Sequence, residues 1–170
     1  NTDIVIKIVR EVKKNKKKAK LKKEKKFSNN KKIKPSKDEI NKSIKSLNPE
    51  IKKAIDFAYL RILKFHSLQK INNIKYTDKL NNKIEYRYIP IQSAGIYVPS
   101  NLPSTLLMNA ILAKKIAGVK RVVLASPRLN GKLNPAVMYA AKKCGISEII
   151  SVGGSQAIAS LAYIQKVNKI

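Results

Sequence analysis

Glu148-Ile149-Ile150-Ser151-Val152-Gly153-Gly154-Ser155-Gln156-Ala157-Ile158-Ala159 joins a short apolar run to a helix-forming run through two glycines. A strand that turns on glycine straight into a helix leaves the first helical N–H groups unpaired and puts the positive end of the helix dipole at the strand's C-terminal end. Open α/β sheets bind their ligands at that edge. The bare pattern supports two readings. It lacks the full G-x-G-x-x-G spacing, and a tight strand-to-helix turn uses glycine for steric reasons alone, so either an anion-binding turn or a plain connection fits.

Working backwards from that turn, the same unit occurs twice more. Ala94 to Val98 reads as a buried strand. Ser104 to Ala117 reads as a helix with Leu107, Ala110, Ile111, the Lys114 stem and Ala117 on one side, closed by a left-handed Gly118. Val122-Val123-Leu124-Ala125 is the continuous apolar run expected of a strand covered on both faces. Asn134-Pro135 caps a helix from Ala136 to Lys143, and Gly145 closes it. Three successive βα units predict a parallel sheet. The fold class is therefore α/β: N-terminal helices over residues 1–92, then an incomplete Rossmann-like lobe over residues 93–170.

The first segment reads as helical. Ile4, Ile8, Val12 and Leu21 recur in a lysine-rich background, and the like charges of Lys13 to Lys26 predict a solvated, partly frayed helix. Ser36-Lys37-Asp38-Glu39 has capping-box spacing, with Ile40, Ile44 and Leu47 inward. Asn48-Pro49-Glu50 starts a long helix whose Ile51, Ala54, Ile55, Ala58, Ile62 and Phe65 share the inward stripe. Residues 84–91 alternate weakly and suggest an edge strand or extended connection.

Formal charge is +27 over 170 residues. The excess is spread along the whole chain and is carried by Lys, alongside abundant Asn and Ile, as AT-rich codons produce. Phosphate and guanine recognition favours Arg, and only Arg10, Arg61, Arg87, Arg121 and Arg128 are present. Compositional drift is the favoured reading; a basic module that holds nucleic acid through Lys13 to Lys26 is the alternative. The single Cys144 excludes an internal disulfide and suits a small apolar role near a helix end in a reducing compartment. No apolar run reaches membrane-spanning length and no signal peptide opens the sequence, so a cytoplasmic protein with no membrane partner is expected. Beginning at Asn1 and ending at Ile170 just after an apolar helix, the sequence reads as a fragment or processed chain.

Candidate site residues are few. Tyr97 ends the first strand of the lobe, where an aromatic hydroxyl suits stacking on or bonding to a cofactor, or simply a packed edge with a wet tip. Gln156, in the first helical turn after the glycines, could aim its amide at a ligand or could cap the helix or face solvent. His66 is the only histidine, so a hydrogen-bonded structural role is favoured and no nitrogen-rich metal site can form from this chain alone. Glu148 is the only acid after Ser93, which leaves general acid–base chemistry without local candidates.

Phe65-His66-Ser67-Leu68-Gln69, Pro90 to Pro99, Ala113 to Gly118, Gly131-Lys132-Leu133-Asn134-Pro135-Ala136-Val137, Val152 to Ala159 and Lys166 to Ile170 together resemble the histidinol dehydrogenase family, in the family's order, over residues 4–170. The resemblance implies a homodimer that uses NAD and zinc to oxidise L-histidinol through the aldehyde to L-histidine. It implies cofactor contacts at Tyr97, in the Tyr-Val-Pro motif, and at Gln156, in the Gly-Gly-x-Gln-Ala motif. The family's remaining cofactor contact, zinc ligands and Glu/His catalytic pair would lie beyond Ile170, so no catalytic or metal residue is assigned here and the chain alone is expected to be inactive. The loop Tyr97-Val98-Pro99-Ser100-Asn101 lacks the family's two glycines, and Ile164-Gln165 replaces a Gly-Thr-Glu linker. Such shortened loops also fit a decayed gene remnant. No specific nucleic-acid partner is expected.

Overall fold

The computed structural model describes residues 2–14, 33–99, 101–163, 165 and 167. Most of the lysine run after Lys13 therefore lies outside the described residues. The first helix, α1, covers residues 2–14. It is followed by α2 (Lys37–Lys45), α3 (Pro49–Ser67), the strands β1 (Ile74–Thr77), β2 (Lys83–Tyr86) and β3 (Ser93–Tyr97), then α4 (Pro103–Ile111), β4 (Arg121–Ala125), α5 (Pro135–Lys143), β5 (Glu148–Ile150) and α6 (Gly154–Tyr163).

β3, β4 and β5 form a parallel sheet in sequence order, with Gly95 opposite Val123 and Ala125 opposite Ile150. Successive side chains on a strand point to opposite faces, and here both faces are covered. Ile96, Val98, Val122, Leu124 and Ile149 join Leu106, Leu107, Ala110 and Ile111 of α4 and Val137, Met138, Ala140 and Ala141 of α5 in one core. Val123, Ala125, Ile150 and Val152 pack on Ala157 and Leu161 of α6 in another. The chain thus covers one face with α4 and α5, then crosses after β5 and runs back over β4 and β3 with α6. Gly95 makes that return possible: a Cβ there would lie 3.0 Å from Leu161 Cδ1 and 3.1 Å from its Cβ.

The predicted caps form. Ser36 Oγ accepts from Glu39 N at 3.2 Å, Asn48 Oδ1 from Glu50 N at 2.7 Å, and Asn134 Oδ1 from Ala136 N and Val137 N at 2.9 and 3.1 Å. Gly118 and Gly145 both have φ of +73°, the left-handed stop that an L side chain resists. α2 packs on α5, and α3 on α4 and α5. Tyr139 on α5 donates to Asp56 on α3 at 2.7 Å, and burial, helped by that bond, pushes the Tyr139 hydroxyl pKa up to about 12. Cys144 ends α5, buried and free; burial pushes its thiol up to about 11, so it serves as a small apolar group.

Three expectations need correction. The helix expected from Ser104 to Ala117 is α-helical only to Ile111; Leu112–Ile116 is a π turn in which Ala117 N bonds Leu112 O at 2.9 Å. One widened turn shifts apolar spacing too little to be seen in sequence, and it leaves Ala117 exposed. On α3, Ile55 is buried but Ile51 is 48 % and Phe65 61 % exposed, because α4 and α5 cover only part of a helix that is apolar nearly all round. Residues 84–91 supply only part of a strand: β2 is the second arm of an antiparallel hairpin whose first arm, β1, the sequence reading lacked.

Candidate functional site

β3, β4 and β5 all end at one edge of the sheet, and the candidate residues lie along it. β3 runs parallel to its neighbours, so Tyr97, its last residue, stands beside Ala125 at the end of β4. The Gly153-Gly154 turn follows β5 at the same edge. The two meet directly: the Gly154 N–H donates to Tyr97 Oη at 3.2 Å. This bond spends one backbone donor of the helix start and leaves the hydroxyl's own proton for another acceptor. Tyr97 is half-buried, its ring packed on the core beneath α6.

The glycines are required by contact and by conformation. A Cβ on Gly153 would sit 2.9 Å from Pro127 Cβ, closer than side chains come in real structures. Gly154 has φ +59°, and a Cβ there would lie 3.3 Å from Gln156 Oε1. The Gln156 amide therefore folds back over the turn. Only 7 % of the residue is exposed, so it does not face solvent. Ser126, which follows β4, is buried and donates its backbone N–H to Ile150 O at 3.0 Å, continuing the ladder past the strands' ends.

Sequence reasoning missed the support behind this edge. The loop that follows β4 carries Pro127 against Gly153, and its next residue, Arg128, has a side chain only 4 % exposed. Arg128 Nη1 donates to the Glu39 carboxylate on α2 and, at 3.3 Å, to Gly131 O. A lone Arg straight after a buried strand was the available signal, but its partner lies 89 residues away. A cleft of about 640 Å³ opens beside this contact, between Lys42 and Ser43 of α2 and Asn130 to Asn134. It is not lined by Tyr97 or Gln156.

His66 stands apart, with Nδ1–H donating to Gln69 Oε1 at 2.6 Å near the end of α3. Among the described residues no three His, Cys, Asp or Glu side chains gather in a metal-ligating group. No described helix is long and apolar enough to cross a membrane. Glu148 is engaged at the opposite, N-terminal edge, where Arg121 Nε and Nη2 each donate to it at 2.8 Å. The candidate edge therefore offers hydrogen-bond donors and an aromatic ring.

Comparison with known proteins gives that surface a context. The histidinol dehydrogenase family model matches residues 1–170. The histidinol dehydrogenase of Pelagibacter ubique (strain HTCC1062) is 58 % identical over 177 residues, covering 100 % of this chain and 41 % of that protein. Histidinol dehydrogenase 1 of Trichormus variabilis is 44 % identical over 128 residues, covering 71 % of this chain and 30 % of that protein. In three dimensions the chain is similar to the crystal structure of histidinol dehydrogenase from Elizabethkingia anophelis, with TM-score 0.88 and 34 % identity over 99 % of this chain and 40 % of that one. The chain thus spans about two fifths of the length of such relatives.

Proposed function

Because the chain belongs to the histidinol dehydrogenase family, we propose that it supplies the dinucleotide-binding edge for NAD-dependent oxidation of L-histidinol to L-histidine, with Tyr97 and Gln156 as cofactor contacts. The observation that carries this reading is the Gly154-to-Tyr97 hydrogen bond, which fastens the end of β3 to the start of α6. α6 returns over β4 and β3, so the crevice at these strand ends is the kind of site where open α/β sheets take nucleotides.

The residues fit that role. The glycines let the turn pack tightly against Pro127 and Gln156, and the α6 N-terminus that the turn opens favours the charge of a pyrophosphate. Tyr97 Oη, already accepting from Gly154, donates its proton outward, and its ring offers an apolar wall. Gln156, packed over the turn, holds the loop shape and presents its amide. When bound, NAD accepts the hydride; this chain's residues bind and orient it. The zinc used by the family has no ligand set among the described residues, so its ligands, the acid–base pair and most substrate contacts are assigned to the rest of the family's length. The same reading makes the chain alone inactive, the working protein a cytoplasmic homodimer, and the lysine excess unrelated to any specific nucleic-acid partner.

The test is fluorescence titration of the full-length protein with NADH. Gln156→Ala is expected to weaken NADH binding roughly tenfold while zinc content stays at the wild-type level. Unchanged NADH affinity in a folded variant overturns the assignment of Gln156.

A further inference from the structure

We infer that the Glu39–Arg128 ion pair is the positioning device of the dinucleotide turn, setting the distance between the loop after β4 and the glycines after β5; this rests on the dinucleotide reading of that edge. Three contacts form a chain. Glu39, in the first turn of α2, accepts from Arg128 Nη1. The same nitrogen reaches Gly131 O at 3.3 Å, across a bend in which Asn130 and Gly131 have φ of +49° and +76°. Pro127, adjacent to Arg128, is the residue a Cβ on Gly153 would strike at 2.9 Å. α2 is itself fixed from the other side, since Ser43 Oγ donates to Leu133 O at 3.2 Å. The loop is therefore held at both ends against one helix, with its proline pressed on the turn.

As a source of stability the pair is poor. A guanidinium 4 % exposed loses nearly all its hydration, and among the described residues its Nε and Nη2 find no hydrogen-bond partner. Buried pairs of this kind often do no better than apolar replacements of the same volume. What an apolar pair cannot supply is direction: the hydrogen bonds from Arg128 Nη1 to Glu39 and to Gly131 O set where the loop, and Pro127 with it, meets the turn. A misplacement of about 1 Å is enough to alter binding geometry. Glu39 and Arg128 act through Pro127 and touch no cofactor, so they are positioning residues.

The experiment compares full-length wild type, Glu39→Leu/Arg128→Met and Arg128→Lys. The apolar double variant is expected to keep its thermal midpoint while the NADH dissociation constant rises roughly tenfold and kcat stays within about twofold. Arg128→Lys keeps the charge but replaces the planar, fixed guanidinium by a flexible ammonium, and is expected to bind NADH about threefold more weakly than wild type. A folded double variant with wild-type NADH affinity overturns the inference. Should the double variant fail to fold, Arg128→Lys decides alone: weaker NADH binding at an unchanged midpoint supports the positioning role, and unchanged binding sinks it. Wild type without NADH affinity would instead sink the dinucleotide reading itself.

Discussion

Residues 37–91 and residues 93–163 both carry apolar side chains at regular spacing, but they bury them very differently. In the second stretch the strands and both helix layers place Ile96, Leu106, Leu107, Ile111, Leu124, Met138 and Ile150 at 7 % exposure or less. In the first, Ile55 is the one buried apolar residue, while Phe57, Leu60, Phe65, Ile74, Tyr76, Ile84 and Tyr86 are all more than half exposed. A strand inside a parallel sheet has covered faces on both sides, so an apolar run there allows one arrangement. A helix that is apolar nearly all round, or a lone two-stranded hairpin, fixes its own conformation without fixing which side is covered.

The sharpest way to break that contrast is a truncation in the lobe. Leu124 is fully buried between β3 and β5 beneath α4 and α5. Leu124→Ala is expected to cost about 3 kcal/mol, from lost transfer free energy plus an unfilled cavity. Urea unfolding measures it. A loss below about 1 kcal/mol would mean the lobe core is as loosely covered as α3.

The same contrast decides what could be read from sequence. In both regions the helix ends were legible, the caps at Ser36, Asn48 and Asn134 and the stops at Gly118 and Gly145, because each is a local rule about one or two backbone groups. The parallel sheet was legible because three βα units leave few topologies. β1 was not legible: all four of its residues are exposed, so no burial pattern marks it. Its best signal was the turn, where Asp78 Oδ1 accepts from Leu80 N and Asn82 N at 2.8 Å and Asn81 takes φ +63°. At the candidate edge, the positions of Tyr97 and Gln156 at strand end and helix start were legible. Their meeting through Gly154 depends on the register of three strands, and the Glu39–Arg128 contact depends on how α2 lies against a distant loop; neither is encoded in local spacing.

A smaller effect sharpens the comparison at the N-terminal edge of the sheet. Arg121 begins β4, Glu148 begins β5, and Arg121 Nη1 also donates to Gln165 O at 2.8 Å. The hydrogen bonds from Arg121 hold the Glu148 carboxyl below its ordinary value. A depressed folded-state pKa means the stabilisation is fully present above the unfolded carboxyl value of about 4.3 and is lost as pH falls through the folded value. The two side chains are 36 % and 44 % exposed, so the pair is worth less than about 1 kcal/mol. Urea midpoints at pH 7 and pH 3 should therefore converge slightly in Glu148→Gln relative to wild type. An acid-induced loss identical in both proteins would remove Glu148 from the account.

The smallest effect is expected where the comparison predicts almost none. Leu60, on α3, is 63 % exposed, and the described residues that pack against the core from this helix are Ala58, Tyr59, Ile62 and Leu63. Truncating a side chain that already stands in water removes little buried area, and its serine replacement loses only a few tenths of helix propensity. Leu60→Ser in the 170-residue chain should thus shift unfolding by less than about 0.5 kcal/mol, whereas Ile62→Ser, two positions along and packed on the core, should cost several times more. Equal losses at the two positions would show that the outer side of α3 is covered after all, and the division between a buried lobe and a half-covered helical layer would fail.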